Sequence, residues 1–479
     1  PMSDAKNKYT TLISNTIIFA LGTFGSKLLV FLLMPLYTSV LTTAEYGAMD
    51  VVVNVSNMLL PLVIVSINDG VIRFGMDRAY KRRDVFSTGI WVSLAGFGIF
   101  LIFWPAMKKI GMISDYTALI YLYVLAAALQ GVSAQFVRAM GLVRLFAFNG
   151  ILNTLSTVVF NVLFLVVMKW GMYGYVLSVI LSNVASMIFL WIAARLYRYM
   201  RWWKGIDRDT VREMIIYSLP LIPATIMWSI TNVSDRFFVT HYLGEAQNGI
   251  YSVAYKLPTI ISVISAIFTQ AWQLSAIGER ESDDREQFYS NIFKSYQTIV
   301  FLAAGGILLL IKPLMHLLVS DSFFEAWQYT PLLVVSVVFS CFSSYFASFY
   351  MASKKNIMAM VTIFLGALLN VVLNYYLIPI YGLNGAAGAT AASYIFIFVI
   401  RAIDTRRLFC IDLGLRKLLL NSLLLGLQAW LLMQNDKYLY VWETLTLLAM
   451  LLVNLRGILF VADRFYQAFI LKRRHNSSC

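Results

Sequence analysis

Three basic residues, Lys27, Arg236 and Lys256, stand inside stretches of sequence that are otherwise almost wholly apolar. Two acids, Asp50 and Asp235, stand in the same kind of stretch. An ammonium or guanidinium group in such a place attracts phosphate or carboxylate, lysine as a point charge and arginine as a two-toothed fork. A charge left facing lipid near the bilayer centre costs at least about 2.5–3.5 kcal/mol. These groups are therefore expected to face water, a partner or a ligand, although Lys27 and Arg236 can also reach the headgroups by snorkelling.

The spacing around them is helical. Thr16, Ala20, Thr23 and Lys27 follow i, i+4, i+7, i+11, and Thr225, Ser229, Asn232 and Arg236 repeat the pattern. Asp50, Asn54, Asn57 and Pro61 share one face of another helix, and Ser252, Lys256, Thr259 and Val263 share the matching face of a fourth. The candidate substrate-binding set is thus Lys27, Arg236, Lys256, Asp50, Asn54, Asp235 and Asn232. Its three cations outnumber its two acids, which suits an anionic headgroup. Asp69 and Arg73 are candidates for a cytoplasmic mouth, as a gate or an ordinary surface pair. Asn370 and Asn374 share a face and read as glue between helices.

Other chemistry has little support. Three cysteines and three histidines are scattered, with no CxxC pair and no nucleotide-sugar motif, so neither metal nor cofactor is expected. Coupling to a proton or sodium ion at Asp50 or Asp235 stays open.

The elements that must position these residues are membrane helices. Of 479 residues, 60% are hydrophobic and 13% charged, and the mean hydropathy is +0.74. A soluble fold of this size cannot cover its surface with so few charges. Continuous apolar runs of about 20 residues exclude a β-barrel, whose strands alternate over about 10. Spans are predicted near 12–34, 49–72, 85–104, 116–137, 147–168, 173–195 and 213–239. Seven more follow near 249–272, 291–311, 328–350, 357–378, 383–402, 416–433 and 439–456. The chain is therefore expected to be an all-α polytopic membrane protein of about 14 transmembrane helices. Pro61, Pro220, Pro223 and Pro258 interrupt spans two, seven and eight and mark places where they can bend.

Orientation follows from the loops. Of 38 lysines and arginines, 30 fall in connections on one side of these spans and five on the other. Both termini are accordingly expected in the cytoplasm. The net charge of +14 reads as contact with membrane lipid, not nucleic acid.

An internal repeat divides the chain. Leu41-x-x-Ala44-x-x-Gly47 recurs as Leu243-x-x-Ala246-x-x-Gly249, and Gly171-x-x-Gly174 recurs as Gly382-x-x-Gly385. Two pseudo-symmetric helix bundles are predicted, over 1–200 and 201–402, followed by two additional spans and a basic tail over 403–479. Substrate sites of repeat-built transporters commonly lie between the repeats.

Several stretches also carry a family resemblance. They are Ser14-Asn15-Thr16 with Gly25-Ser26-Lys27, the run Leu41–Gly47, Arg73-Phe74, the Pro220/Pro223 pair, Asp235-Arg236, Leu243-Gly244, Gly249-x-Tyr251 and Asn374–Gly388. On these the chain resembles the Wzx-type polysaccharide flippases, within the superfamily that includes lipid II flippases and multidrug extruders. The resemblance implies a V-shaped, two-bundle protein with a cationic central cavity, working by alternating access. It implies a substrate of undecaprenyl-pyrophosphate carrying an oligosaccharide repeat unit, moved from inner to outer leaflet of a bacterial plasma membrane. It further implies a carrier, expected to be monomeric, beside polysaccharide polymerase and assembly proteins. A teichoic acid or lipid II flippase is the nearest alternative. A multidrug extruder and a membrane glycosyltransferase or polymerase are the others; the last would need a larger catalytic loop than 312–327 provides.

Overall fold

The computed structural model describes residues 33–278, 285–352, 356–407, 409, 411–434 and 437–476. Among them every regular element is helical. Among the described residues ten helices are long and apolar enough to cross a membrane, or eleven if one bent pair counts as a span. The chain is a multi-pass membrane protein.

The elements that matter below are α1 (Met34–Val40), α2 (Thr43–Val63), α3 (Ile67–Gly75), α4 (Arg82–Ile102), α5 (Thr117–Ala139), α6 (Val143–Asn161), α7 (Gly171–Ala193) and α8 (Arg208–Ser218). They continue with α9 (Leu221–Leu243), α10 (Glu245–Ala254), α11 (Lys256–Gly278), α12 (Arg285–Leu318), α13 (Thr330–Ala352), α14 (Asn356–Asp404), α15 (Leu415–Gln434) and α16 (Leu439–Asn476).

The difference from the expected count has three identifiable sources. The first expected span lies almost wholly outside the described residues. The seventh becomes α8 and α9, and α9 carries Asp235, Arg236 and His241, which leave it too polar to qualify by composition. The eleventh and twelfth form the single run α14. That run has 49 residues and is broken at Gly382, where φ is 58° and ψ −136°. Only glycine enters that region easily. Straight, it would extend about 74 Å against about 30 Å of hydrocarbon, so the break divides it.

Proline marks the other interruptions. Beyond Pro61 the chain passes through left-handed backbone at Val65 (φ 55°) and Ser66 (φ 49°) before α3 begins. The Ser66 amide donates back to the Pro61 carbonyl at 2.8 Å, which recovers one hydrogen bond lost at the break. A β-branched residue at positive φ is strained. Pro220 separates α8 from α9. Pro258 sits in the first turn of α11, just after a 43° bend from α10.

The described residues group into two compact units, Leu32–Gly249 and Ile250–Cys479. Compactness therefore keeps α8 and α9 with the helices before them, whereas the expected bundles rest on the sequence repeat; these are different properties of a chain. In the first unit, Ile67, Val71, Phe86, Val132 and Phe136 build a dry core between α3, α4 and α5. Outside that core, polar side chains join α6 to α7: Ser186 donates to Asn149 at 2.7 Å and Thr157 to Ser182 at 2.8 Å. Such pairs substitute for hydrophobic attraction, which is absent between helices in lipid. In the second unit, Phe293, Tyr296, Phe342, Tyr345 and Phe349 form an aromatic core between α12 and α13. Leu155 and Val159 of α6 and Leu452 of α16 lie exposed, as surfaces for hydrocarbon require.

Candidate functional site: an ion-pair cluster within the spans

The start of α2 explains how Asp50 is placed. Thr42 caps the helix by accepting from the Glu45 amide, and the Glu45 carboxylate accepts in turn from the Thr42 amide, a capping box. One turn on, Gly47 lies so close to the first turn of α10 that a Cβ built on it would stand 1.9 Å from the Glu245 carbonyl oxygen. Asn248 adds a bond from its side-chain amide to the Gly47 carbonyl at 3.0 Å. Asp50 follows on the same helix, 8% exposed.

Opposite it, α9 presents adjacent residues of opposite sign. Arg236 donates through Nε to Asp50 Oδ2 at 2.8 Å and reaches Asp235 Oδ1 through Nη1 at 3.4 Å. The Arg236 backbone amide also donates to Asp235 Oδ1, at 2.9 Å. Asp235 is 1% exposed. Tyr46, one turn before Asp50 and fully buried, lies within electrostatic reach of both Asp50 and Arg236. Two acids thus hold one guanidinium, and the three groups sum to −1.

Removing charges from water costs several kcal/mol per ion, which only good geometry recovers. The cluster meets that condition for Arg236. Chemically it can hold a cation in reserve: a stronger anion can take the guanidinium from its carboxylates, and neutralising either acid loosens it.

The remaining candidates fall into place one by one. Asn54 donates to the Asp50 backbone carbonyl at 2.8 Å, so its amide serves its own helix. Lys256 opens α11, half-buried, in the second compact unit. Lys27 and the side chain of Asn232 lie outside what is described. Arg73 pairs with Asp77 at 3.6 Å, four residues on, rather than with Asp69, which is exposed. Asn374 donates to Asn370 at 3.0 Å and Asn370 to Thr390 at 3.4 Å, so this face links the two parts of α14. Sequence reasoning passed over Tyr46, although its position four residues before Asp50 was a readable signal.

The match that decides the family spans residues 12–273, more than half of the chain, and its description is polysaccharide biosynthesis protein. The chain belongs to that family. No curated protein matches this family member in sequence. Among solved structures, it superposes on the lipid II flippase MurJ in an inward closed conformation with a TM-score of 0.71 and 13% identity, covering 95% of this chain and 100% of that one. A multidrug resistance MATE transporter of the MOP superfamily, outward-facing, gives 0.59 at 16% identity over 84% and 95% of the two chains. A point mutant of the Vibrio cholerae MATE transporter VcmN gives 0.59 at 14% identity over 85% and 98%. These likenesses establish the fold. This family member has the helical architecture seen in a lipid II flippase and in MATE transporters.

Proposed function

We propose that this protein is a flippase for a lipid-linked sugar, moving undecaprenyl-pyrophosphate-linked oligosaccharide repeat units from inner to outer leaflet by alternating access. The observation that carries the proposal is Arg236, held within the spans by Asp50 and Asp235. A pyrophosphate offers more charge and more acceptor oxygens than a carboxylate, so it competes for the guanidinium. Lys27 and Lys256 are assigned to the same headgroup, with Asn54 and Asn232 as polar neighbours; Asp69 and Arg73 are assigned to the cytoplasmic mouth. The freed acids accept a proton or sodium ion. The membrane is the bacterial plasma membrane, with both termini in the cytoplasm. Negative potential inside assists an anion moving outward by about 2.3 kcal/mol per charge per 100 mV. The carrier works as a monomer, needs no cofactor, and supplies polysaccharide polymerase and assembly proteins. Family membership supports the sugar substrate, and the MurJ-like fold supports flipping.

A second reading has one observation in its favour. The described cluster has two acids to one base, which suits a cationic drug.

Reconstitution of the full chain separates the two. Vesicles carrying a fluorescent undecaprenyl-pyrophosphate sugar should lose inner-leaflet label with the wild type and keep it with Lys27→Ala plus Lys256→Ala. Flipping at the wild-type rate by that double variant refutes the site assignment. Transport of a lipophilic cation, with none of the sugar lipid, replaces the first reading by the second.

A further inference from the structure

The two additional spans contain an acid that the flipping proposal does not use. Glu443 lies in α16 with 0% exposure, and Gln428 of α15 is equally buried. The Gln428 amide donates to Glu443 Oε2 at 3.0 Å and approaches the Glu443 carbonyl at 3.4 Å. Glu443 Oε1 and Gln428 Oε1 are both buried without a hydrogen-bond partner among the described residues. Glu443 also falls beyond the first turn of α16, where the Val441 and Trp442 amides already donate to the Tyr438 carbonyl.

Among the described residues no charge compensates this carboxylate. On α12, Lys294 is bound to Asp412, Lys312 lies over the Trp327 ring and His316 stacks on Phe324. On α15, Arg416 is exposed and Lys417 donates to Thr298 at 2.7 Å. Lys437, in the turn between the two helices, is exposed. Arg456 on α16 is exposed, and α13 carries no charged residue. Glue alone would not require an acid, since Asn421 and Asn454 already bridge the hairpin at 2.8 Å. An intramembrane ionisable residue without a counter-charge calls for a functional account.

One hydrogen resolves all of it. A neutral carboxyl pairs with a carboxamide through two hydrogen bonds in a ring: amide N–H to one carboxyl oxygen, carboxyl O–H to the amide oxygen. The first bond is in place, and the two orphaned oxygens are the atoms the second would join. We propose that Glu443 is a proton-binding site that seats the α15–α16 hairpin on α12. The seat is tight, because a Cβ built on Gly305 of α12 would lie 3.1 Å from Gln428 Oε1, 3.0 Å from Leu447 and 3.0 Å from Met450. When the proton passes to water, the O–H bond breaks, a carboxylate remains among apolar atoms, and the hairpin lifts from α12. Glu443 is about 6 Å along the axis from the start of α16, so water reaches it after a small opening. This inference is independent of which substrate the protein carries.

The test uses the full chain in nanodiscs. Infrared spectra in the carboxyl region should show a neutral-acid band that Glu443→Gln removes and that fades in the wild type as pH rises. The wild-type melting temperature should fall over that same pH range, while that of Glu443→Gln stays level. Gln428→Leu, which leaves the acid in place, should shift the band by removing its partner. Spectra unaltered by Glu443→Gln, a band unmoved by Gln428→Leu, or parallel melting of wild type and Glu443→Gln across pH would each overturn the proposal.

Discussion

Gly47 and Gly249 stand in a reciprocal contact: the missing side chain of each faces a backbone carbonyl in the turn that precedes the other. A Cβ on Gly47 would meet the Glu245 oxygen at 1.9 Å, and one on Gly249 would meet the Thr43 oxygen at 2.0 Å. The sequence offset of 202 that relates the two glycines also relates Thr43 to Glu245. Two copies of one motif therefore cross at their first helical turns.

Alanine at either glycine must drive α2 and α10 apart, because the obstacle is backbone and cannot rotate away. Overpacking of this kind costs about 1–3 kcal/mol. Gly47→Ala and Gly249→Ala should each lower the melting temperature in detergent. The double variant should cost less than the sum, since one separation relieves both contacts.

The acids around Arg236 are unequal to its loss. Arg236→Ala takes the guanidinium from two buried acids, Asp50 and Asp235, and breaking a buried pair from one side costs about 3–5 kcal/mol. Asp50→Asn removes only one acid and should be milder, because Asp235 still holds the guanidinium. Chemical denaturation should rank them in that order, and Arg236→Ala with Asp50→Asn should regain part of the loss.

Near the start of α15, Asp412 accepts a hydrogen bond from Lys294 and another from the Gly414 amide at 2.9 Å. The Lys294 bond, then the Gly414 amide, hold its carboxyl below the usual carboxylate range. Its stabilising effect is therefore complete above the unfolded value of about 3.9. It disappears only as pH falls through the lowered folded value. The pair is partly solvated, so Asp412→Asn should cost no more than about 1 kcal/mol at neutral pH. Denaturation of wild type and variant should converge in strong acid.

Orientation is open to direct labelling. A cysteine replacing Ser39, exposed near the end of α1, should react with an impermeant thiol reagent added outside intact cells. One replacing Gly205, between α7 and α8, should react only after permeabilisation. The reverse result would invert the direction of transport proposed above.

Much of this architecture was legible in the chain, and the limits have physical causes. Apolar runs marked most spans, and Pro61, Pro220 and Pro258 marked their breaks. The helix α9 was legible through its polar stripe, the same residues that set it apart from the wholly apolar spans. Asp235 beside Arg236 was visible as a neighbour pair. The bond from Arg236 to Asp50 was not, because 186 residues separate them and no local periodicity encodes it. Periodicity did reveal the Gly47 and Gly249 motifs, but similarity of two segments says nothing of whether they touch. Glu443 escaped notice for a related reason: one acid near the end of an apolar run looks like an interfacial residue until its burial is known.

The cluster on α2 and α9 also limits how this chain can change over generations. Arg236 is tolerable in its setting because of Asp50 and Asp235, and both acids are tolerable because of Arg236. Drift at 236 takes the shared guanidinium from both acids at once, whereas drift at 50 leaves it paired with Asp235, so the arginine is less free to change than either acid. A sister sequence with a neutral residue at 236 should have lost at least one of the acids as well.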